Sequence, residues 1–419
     1  MQARVEQVEP VEQAEKEEQG MESNPLPLAG LRVIAVEQYG AGPFGSMQLA
    51  DMGAEVIKIE NPHTGGDIAR KSGPFFLGDN DSEFFQTFNR NKKSLTLDLK
   101  KPEGREVFEK LVATADIVVN NLRGDQPAKL GLDYDALGRI NPKIVCGHLS
   151  AYGRDNDRAD WPGYDYLMQA EAGYMALTGE PDNPPTRFGL SMVDFMSGVT
   201  LAMGALGALV GVLRGGIGRD VDVSLFDVAM TQLTYPATWY LNSNHEVSRV
   251  ARSGHPSATP CQMFRTGDGW VFVMAMTEKF WCALAEGVGH PEWLDDTRFT
   301  GPAERLANRP ALSALLDDAL SQAPTEHWLT LFKGKLPIAP VNNFAQAMDS
   351  PWLAQIGMIQ SLPHAAKADF RVVASPVKLS GERPQGRGCA ALGADTDMLL
   401  STLGYDAQAR ARLKETQVV

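Results

Sequence analysis

The sequence predicts an α/β protein with a large Rossmann-like, doubly wound domain and a smaller α+β domain. Three observations carry this reading. Residues 31–60 run as a β-branched segment, a glycine turn, a helical segment and a second β-branched segment, the pattern of a parallel βαβ unit. Apolar runs then alternate with amphipathic ones as far as residue 150, as a sheet covered on both faces requires. Beyond residue 262 the alternation gives way to a hairpin pattern and helices.

Taken in order, "LRVIAVEQ", "EVIKIE", "KSLTLDL", "ADIVVNN" and "KIVCGHLS" are the expected strands, with "PEGREVFEKLVATA" and "DYDALGRIN" as helices between them. The apolar run Val199–Leu213, broken by Gly204, Gly207 and Gly211, is shorter than the ~20 residues of a membrane span. It reads as a core helix whose glycines admit another backbone. "GRDVDVSLFDVAMTQL" adds a strand and a helix, and residues 245–262 form a polar linker or loop. Gly267-Asp268-Gly269 marks a hairpin turn, and "LPIAPVNNFAQAM" begins a return to the large domain. The expected boundaries are an acidic extension at 1–26, the large domain at 27–225, linker and small domain at 226–335, and the return at 336–419.

A net charge of −13 argues against nucleic acid and acidic membranes as partners, since both demand basic patches. Cys146, Cys261, Cys282 and Cys389 lack CxxC spacing, which points to core thiols and no metal site. The Glu/Gln-rich first 25 residues carry neither an apolar signal core nor a transit-peptide bias, so a disordered extension and a cytoplasmic location are expected.

Three features bear on chemistry. Asp194 stands between "GLSMV" and the apolar run, where helix capping is the ordinary role of an aspartate. Gly40, Gly42 and Gly45, with Glu60 about twenty residues on, give a weak dinucleotide fingerprint; the glycines also let backbone N–H groups approach any ligand closely. Arg90, Lys92, Lys93, Lys100 and Lys101 concentrate positive charge, either as a solvated face or, from Asn89 to Lys93, as phosphate contacts.

"LAGLRVIAVEQYGAGPFGSMQLADMGAEVIKIENP", "FNRNKKSLTLDLKKPEG", "GYDYLMQAEAGYMALTGEP", "GLSMVDFMSG", "GRDVDVSLFDVAM" and "PIAPVNN", in this order, resemble the signatures of the class III CoA transferases from residue 27 to the end. The resemblance implies an interlocked homodimer of ring-like subunits with a discontinuous large domain. It implies no metal and no permanently bound cofactor; coenzyme A arrives and leaves as substrate, between an acyl-CoA donor and a carboxylic acid acceptor. Asp194 matches the aspartate that becomes acylated. Gln38, Tyr39, Ala41, Asn89, Arg90, Lys92, Leu97, Asn121, Arg123 and Tyr164 match CoA contacts. Gly40, Arg70, Arg187, Gly254 and His255 are the matched candidates for substrate contact, with Arg252 a further arginine for a second carboxylate.

The blocks are similar to transferases that take succinyl-CoA as donor and small dicarboxylates as acceptors. The alternative within the same family is an acyl-CoA racemase. Racemases carry histidine where Tyr164 stands, and a tyrosine with a pKa near ~10 is a poor base at neutral pH. Gln38 and Gly40 replace the histidine and glutamine of formyl-CoA transferase, which argues against formyl or oxalyl specificity; by the same match Asn61 replaces its arginine near the CoA adenine end, so phosphate contacts are expected to shift towards Arg90, Lys92 or Arg123.

Overall fold

The computed structural model describes residues 25–419; the acidic extension expected at 1–26 lies almost entirely outside them. The chain divides into two compact units. The first contains the described residues up to Leu149, then Gly198–Asp222 and Gln360–Val419; the second contains Ser150–Ser197 and Val223–Ile359.

The first unit is built on β1 (Arg32–Val36), β2 (Glu55–Glu60), β3 (Lys93–Thr96), β4 (Ile117–Asn120), β5 (Val145–Ser150) and β6 (Arg219–Ser224). Their spatial order is β3-β2-β1-β4-β5-β6, and the pairs from β3 through β5 are parallel. Strands covered on both faces need continuous apolar runs, which Val33–Ala35, Val56 with Ile57, and Ile117–Val119 supply. This is the Rossmann order, so the chain reverses its direction of winding between β1 and β4. In open sheets of this order ligands bind at that point, outside the carboxyl ends of the strands.

Helix α1 (Ala41–Asp51) follows β1, α2 (Pro102–Val112) joins β3 to β4, and α3 (Met192–Leu213) precedes β6. The C-terminal return is present: Leu399, Leu400, Leu413 and Val418 enter the same core as Ile34, Ile57 and Val118. It begins near residue 360, not 336.

Helix α3 has 22 residues, and an 18-residue stretch of it has a mean hydropathy of 1.9, so by length and composition it is apolar enough to cross a membrane. It is longer than the Val199–Leu213 run suggested. Leu201, Ala205, Leu209 and Val212 are buried along one stripe, as in a crossover helix packed on a sheet. The close backbone approach is at Gly198, not at Gly207 or Gly211. A Cβ on Gly198 would collide with the Ala41 carbonyl, and one on Gly45 with the Gly198 carbonyl. Gly45 is therefore used for packing α1 against α3.

In the second unit β7 (Cys261–Arg265), β8 (Trp270–Met274) and β9 (Ile338–Pro340) form an antiparallel sheet in the order β9-β8-β7. The expected hairpin turn closes with Thr266 N–H on the Gly269 carbonyl at 3.0 Å. Trp281, Phe264, Phe299 and Trp328 fill the core beneath it. Residues 150–197 also belong to this unit, a correction to the expected 27–225 boundary. Local periodicity reports which face of a segment is apolar but not which core receives it.

Candidate active site

In the first unit the chain leaves β1 through Glu37 and turns at Gln38–Gly40 into α1. The turn sits at the switch point, and its backbone is held from several sides. Gln38 N–H donates to Asn121 Oδ1 at 2.9 Å, and Asn121 Nδ2 donates to the Gln38 carbonyl at 2.8 Å. Tyr39 N–H donates to Asp67 Oδ1 at 2.9 Å, and Lys92 Nζ donates to the Pro43 carbonyl at 2.9 Å. Gln38 and Tyr39 present their side chains to solvent, whereas Gly40 and Ala41 are buried. A Cβ on Gly42 would lie 2.8 Å from Asn121 Cβ, so glycine is required for α1 to start against the end of β4.

The expected cationic phosphate site is not a surface. Lys92 is buried and ion-pairs with Glu37 at 2.7 Å; burial, opposed by Glu37, brings its pKa down to about 8. Arg90 is buried on Asp51, 2.6 Å away, and on the Val373 carbonyl. Asn89 is fully buried, with its amide on the Phe85 carbonyl, and the Leu97 side chain lies in the core. These four side chains are buried, and the three polar ones have partners within the fold.

Arg70, expected at a substrate carboxylate, is likewise internal, with Nε and Nη2 on the two oxygens of Glu60 at 2.8 Å each. Burial pushes Glu60 up, but Arg70 and Lys58 outweigh it and hold the carboxyl at about 2. A carboxylate so enclosed cannot read a ribose, which removes the dinucleotide reading. Arg123 is exposed and pairs with Asp125 at 2.6 Å.

The second unit carries Asp194, in the first turn of α3. Phe195 N–H donates to the Ser191 carbonyl, so the helix starts before Asp194, which is not its cap. The cap is supplied from elsewhere: Asp165 Oδ2 accepts the Asp194 N–H at 3.1 Å, satisfying one of the unpaired donors of a helix start. Asp165 is buried at the beginning of the Asp165–Glu171 helix. Its Oδ1 accepts Gln169 Nε2 at 2.6 Å. Gln169 also accepts the Phe188 N–H and donates to the Leu190 carbonyl, fixing the segment that leads into Asp194.

A helix N-terminus by itself favours an ionised Asp194. Burial, reinforced by the neighbouring charge of Asp165, instead pushes its pKa up to about 7. Asp165 is raised as well, by burial, against the N–H groups that it accepts. Two carboxyl groups with raised proton affinity thus meet at one helix start, the kind of environment that marks a reactive site.

Tyr164, immediately before Asp165, is 67% exposed, so it is not a core tyrosine. Arg187 is exposed, stacks its guanidinium 4.3 Å from the Tyr166 ring centroid and donates to the Phe188 carbonyl. Its charge acts on Asp165. Arg252 is taken up by Asp317. Gly254 and His255 lie in a loop pinned by Arg309, which donates to the His255 carbonyl at 2.7 Å. The His255 ring is half-buried against Tyr235, with Nε2 3.3 Å from its hydroxyl, and is not a solvated loop histidine. Among the described residues no cluster of histidine, cysteine and carboxylate has metal-binding composition.

Sequence reasoning passed over Asp165, Gln169 and Asp67. Asp165 and Gln169 were legible as a carboxylate and an amide one helical turn apart in "YDYLMQ"; nothing local pairs Asp165 with a residue 29 positions away.

A Rossmann-order sheet with a smaller α+β unit is an α/β architecture with a known structural counterpart. A CAIB/BAIF family protein from Brucella suis superimposes with a TM-score of 0.78 at 31% identity, covering 91% of this chain and all of that one. The model of CoA-transferase family III matches residues 28–396, and the chain belongs to that family. A succinate–glutarate CoA-transferase from Agrobacterium fabrum is 33% identical over 79% of this chain and 84% of its own length. A succinyl-CoA:mesaconate CoA-transferase from Haloarcula hispanica is 33% identical over 87% and 93%, respectively. The protein is thus an enzyme of CoA transfer, with acyl-CoA and a carboxylic acid as its classes of substrate.

Proposed function

We propose that the protein moves CoA from succinyl-CoA to a small dicarboxylic acid, with Asp194 as the acyl carrier. The observation that carries the reading is the half-buried Asp194 carboxyl, raised towards neutrality at a helix start and held through its own N–H by Asp165. A carboxylate of raised basicity is a stronger nucleophile, and it can itself carry an activated acyl group without loss of thioester energy.

The Asp194 carboxylate attacks the donor thioester carbonyl; the C–S bond breaks and CoA leaves as thiolate, giving a mixed anhydride. The thiolate attacks the aspartyl carbonyl and expels the donor acid as carboxylate, leaving an Asp194–CoA thioester. The acceptor carboxylate attacks that thioester to form a second anhydride, again with release of thiolate. The thiolate takes the acceptor's acyl group, and Asp194 is regenerated.

Arg187 is the candidate for the second carboxylate of a dicarboxylate, since Arg70 is internal and Arg252 is ion-paired, whereas Arg187 is exposed and meets backbone carbonyls and the Tyr166 ring. A guanidinium that meets a carboxylate with two N–H groups supplies both charge and orientation. The names of the relatives, which act on succinate, glutarate and mesaconate, support this acceptor class. The Tyr164 hydroxyl, with histidine absent from that position, supports transfer over racemisation.

The working form is a homodimer, and large exposed apolar side chains support it: Leu213 and Ile217 in the first unit, Leu241 and Phe344 in the second. Apolar side chains left this exposed are what an interface would cover. Four free cysteines, three of them buried, fit a reducing cytoplasm.

The test is incubation with succinyl-CoA and a panel of mono- and dicarboxylates, with new CoA esters followed by mass. Dicarboxylates should give products, and Asp194→Ala should give none while remaining folded. Product formation only with monocarboxylates would refute the acceptor class.

A further inference from the structure

Tyr39 has φ +70°, left-handed backbone that a bulky residue adopts only when its surroundings impose it. Its ring packs 5.1 Å from that of Phe84, so a tyrosine side chain is used where glycine would be less strained. What imposes the conformation is buried beneath the turn. Asp67 Oδ1 accepts the Tyr39 N–H, and Asp67 Oδ2 lies 2.8 Å from Lys58 Nζ. Lys58 in turn donates to the carbonyl of Glu37, two residues before Tyr39, at 3.0 Å.

Both members of the pair are withdrawn from solvent. Asp67 is itself fixed: its N–H donates to Glu60 Oε1 at 3.0 Å, and its Oδ1 also accepts the Ala69 N–H at 2.9 Å. Glu60 is the carboxylate that Arg70 grips. A buried ion pair contributes little net stability over apolar isosteres, so its retention calls for another reason, and the strained turn above it provides one.

We propose that Asp67 is a positioning residue for acyl-CoA transfer: through the Tyr39 N–H, with Lys58 as its counter-ion, it holds the Gln38–Tyr39 turn, matched to CoA contacts, in the geometry that transfer requires. The inference rests on the reading that this turn lies against acyl-CoA. Reacting groups displaced by about 1 Å lose on the order of 100-fold in rate, so a released turn should affect turnover far more than binding.

Two double variants separate the hydrogen bond from the charges. Lys58→Met with Asp67→Asn removes both charges and keeps an acceptor for Tyr39; Lys58→Met with Asp67→Leu removes both and leaves none. The first should keep kcat within about fivefold of the parent. The second should lose about 10- to 100-fold in kcat, with KM for succinyl-CoA changed by less than about threefold. Hydrogen exchange at the Tyr39 amide should be slow in the first and fast in the second.

Folding of each is checked by circular dichroism. Parental kcat in the Leu variant with the amide still protected would show that Asp67 does not hold the turn. Parental kcat with the amide exposed would show the turn to be held but remote from the chemistry, which overturns the reading beneath the proposal as well. Equal loss in the Asn variant, folded and with the amide protected, would overturn the positioning role in favour of charge.

Discussion

Asp165 accepts the backbone N–H of Asp194 at 3.1 Å, so the group that caps α3 also supplies a charge that raises the proton affinity of the candidate nucleophile. One carboxylate satisfies the helix start and at the same time makes ionisation of the other harder.

The first consequence is a pH profile. Asp194 must be deprotonated to attack, and its pKa lies at about 7, so kcat/KM for acyl-CoA should fall as pH drops through 7. Asp165→Asn keeps an oxygen acceptor and removes the like charge, so the acidic limb should move to lower pH. A limb unmoved by Asp165→Asn would separate the two carboxyls functionally. Rates measured between about pH 5.5 and about pH 9, a range that brackets the limb, decide it.

Stability should respond in the opposite sense. With a folded pKa of about 7 against about 3.9 in an open chain, Asp194 binds a proton more tightly when folded. Its contribution is fully present below about pH 4 and is lost as pH rises towards 7. Asp194→Asn should therefore be more stable than the parent by about 1–3 kcal/mol at about pH 8, and hardly different at about pH 4. Chemical denaturation at both pH values measures this.

The contact between α1 and α3 is backbone against backbone at Gly45 and Gly198. Gly45→Ala should destabilise by about 1–3 kcal/mol through overpacking, despite the better helix propensity of alanine. A melting temperature equal to the parent's would mean that the helices can part without cost.

Arg187 should discriminate among acceptors. Arg187→Ala should raise KM for a dicarboxylate by about 10- to 100-fold, the loss of a charge-assisted pair, and leave a monocarboxylate nearly unaffected. Arg187→Lys should recover part of the loss. Equal effects on both acceptor classes would point to a structural role through Tyr166.

The strands were legible because fully buried parallel strands need unbroken β-branched runs; "EVIKIE" is β2 from end to end. The Gly267-Asp268-Gly269 turn was legible because its chemistry is local. The partners of the cations in "FNRNKK" were hidden for the opposite reason. A run of charges resembles a solvated face, yet Lys92 meets Glu37 from 55 positions earlier and Arg90 meets Asp51 from 39. Arg70 likewise reads as free in the sequence, and only the fold sets Glu60 beside it. Asp194 stood out by its setting, but the feature that tunes it, Asp165, is joined to it only by the fold. The left-handed turn at Tyr39 left no mark, because tyrosine is not a residue that announces positive φ.

The most direct test is the fate of Asp194 itself. After incubation with succinyl-CoA alone, rapid quench and digestion, the peptide containing Asp194 should carry CoA as a thioester that hydroxylamine removes, and Asp194→Asn should carry none and turn over no substrate. An unmodified peptide under conditions of full turnover, or an Asp194→Asn enzyme that transfers CoA at the parental rate, would contradict the account.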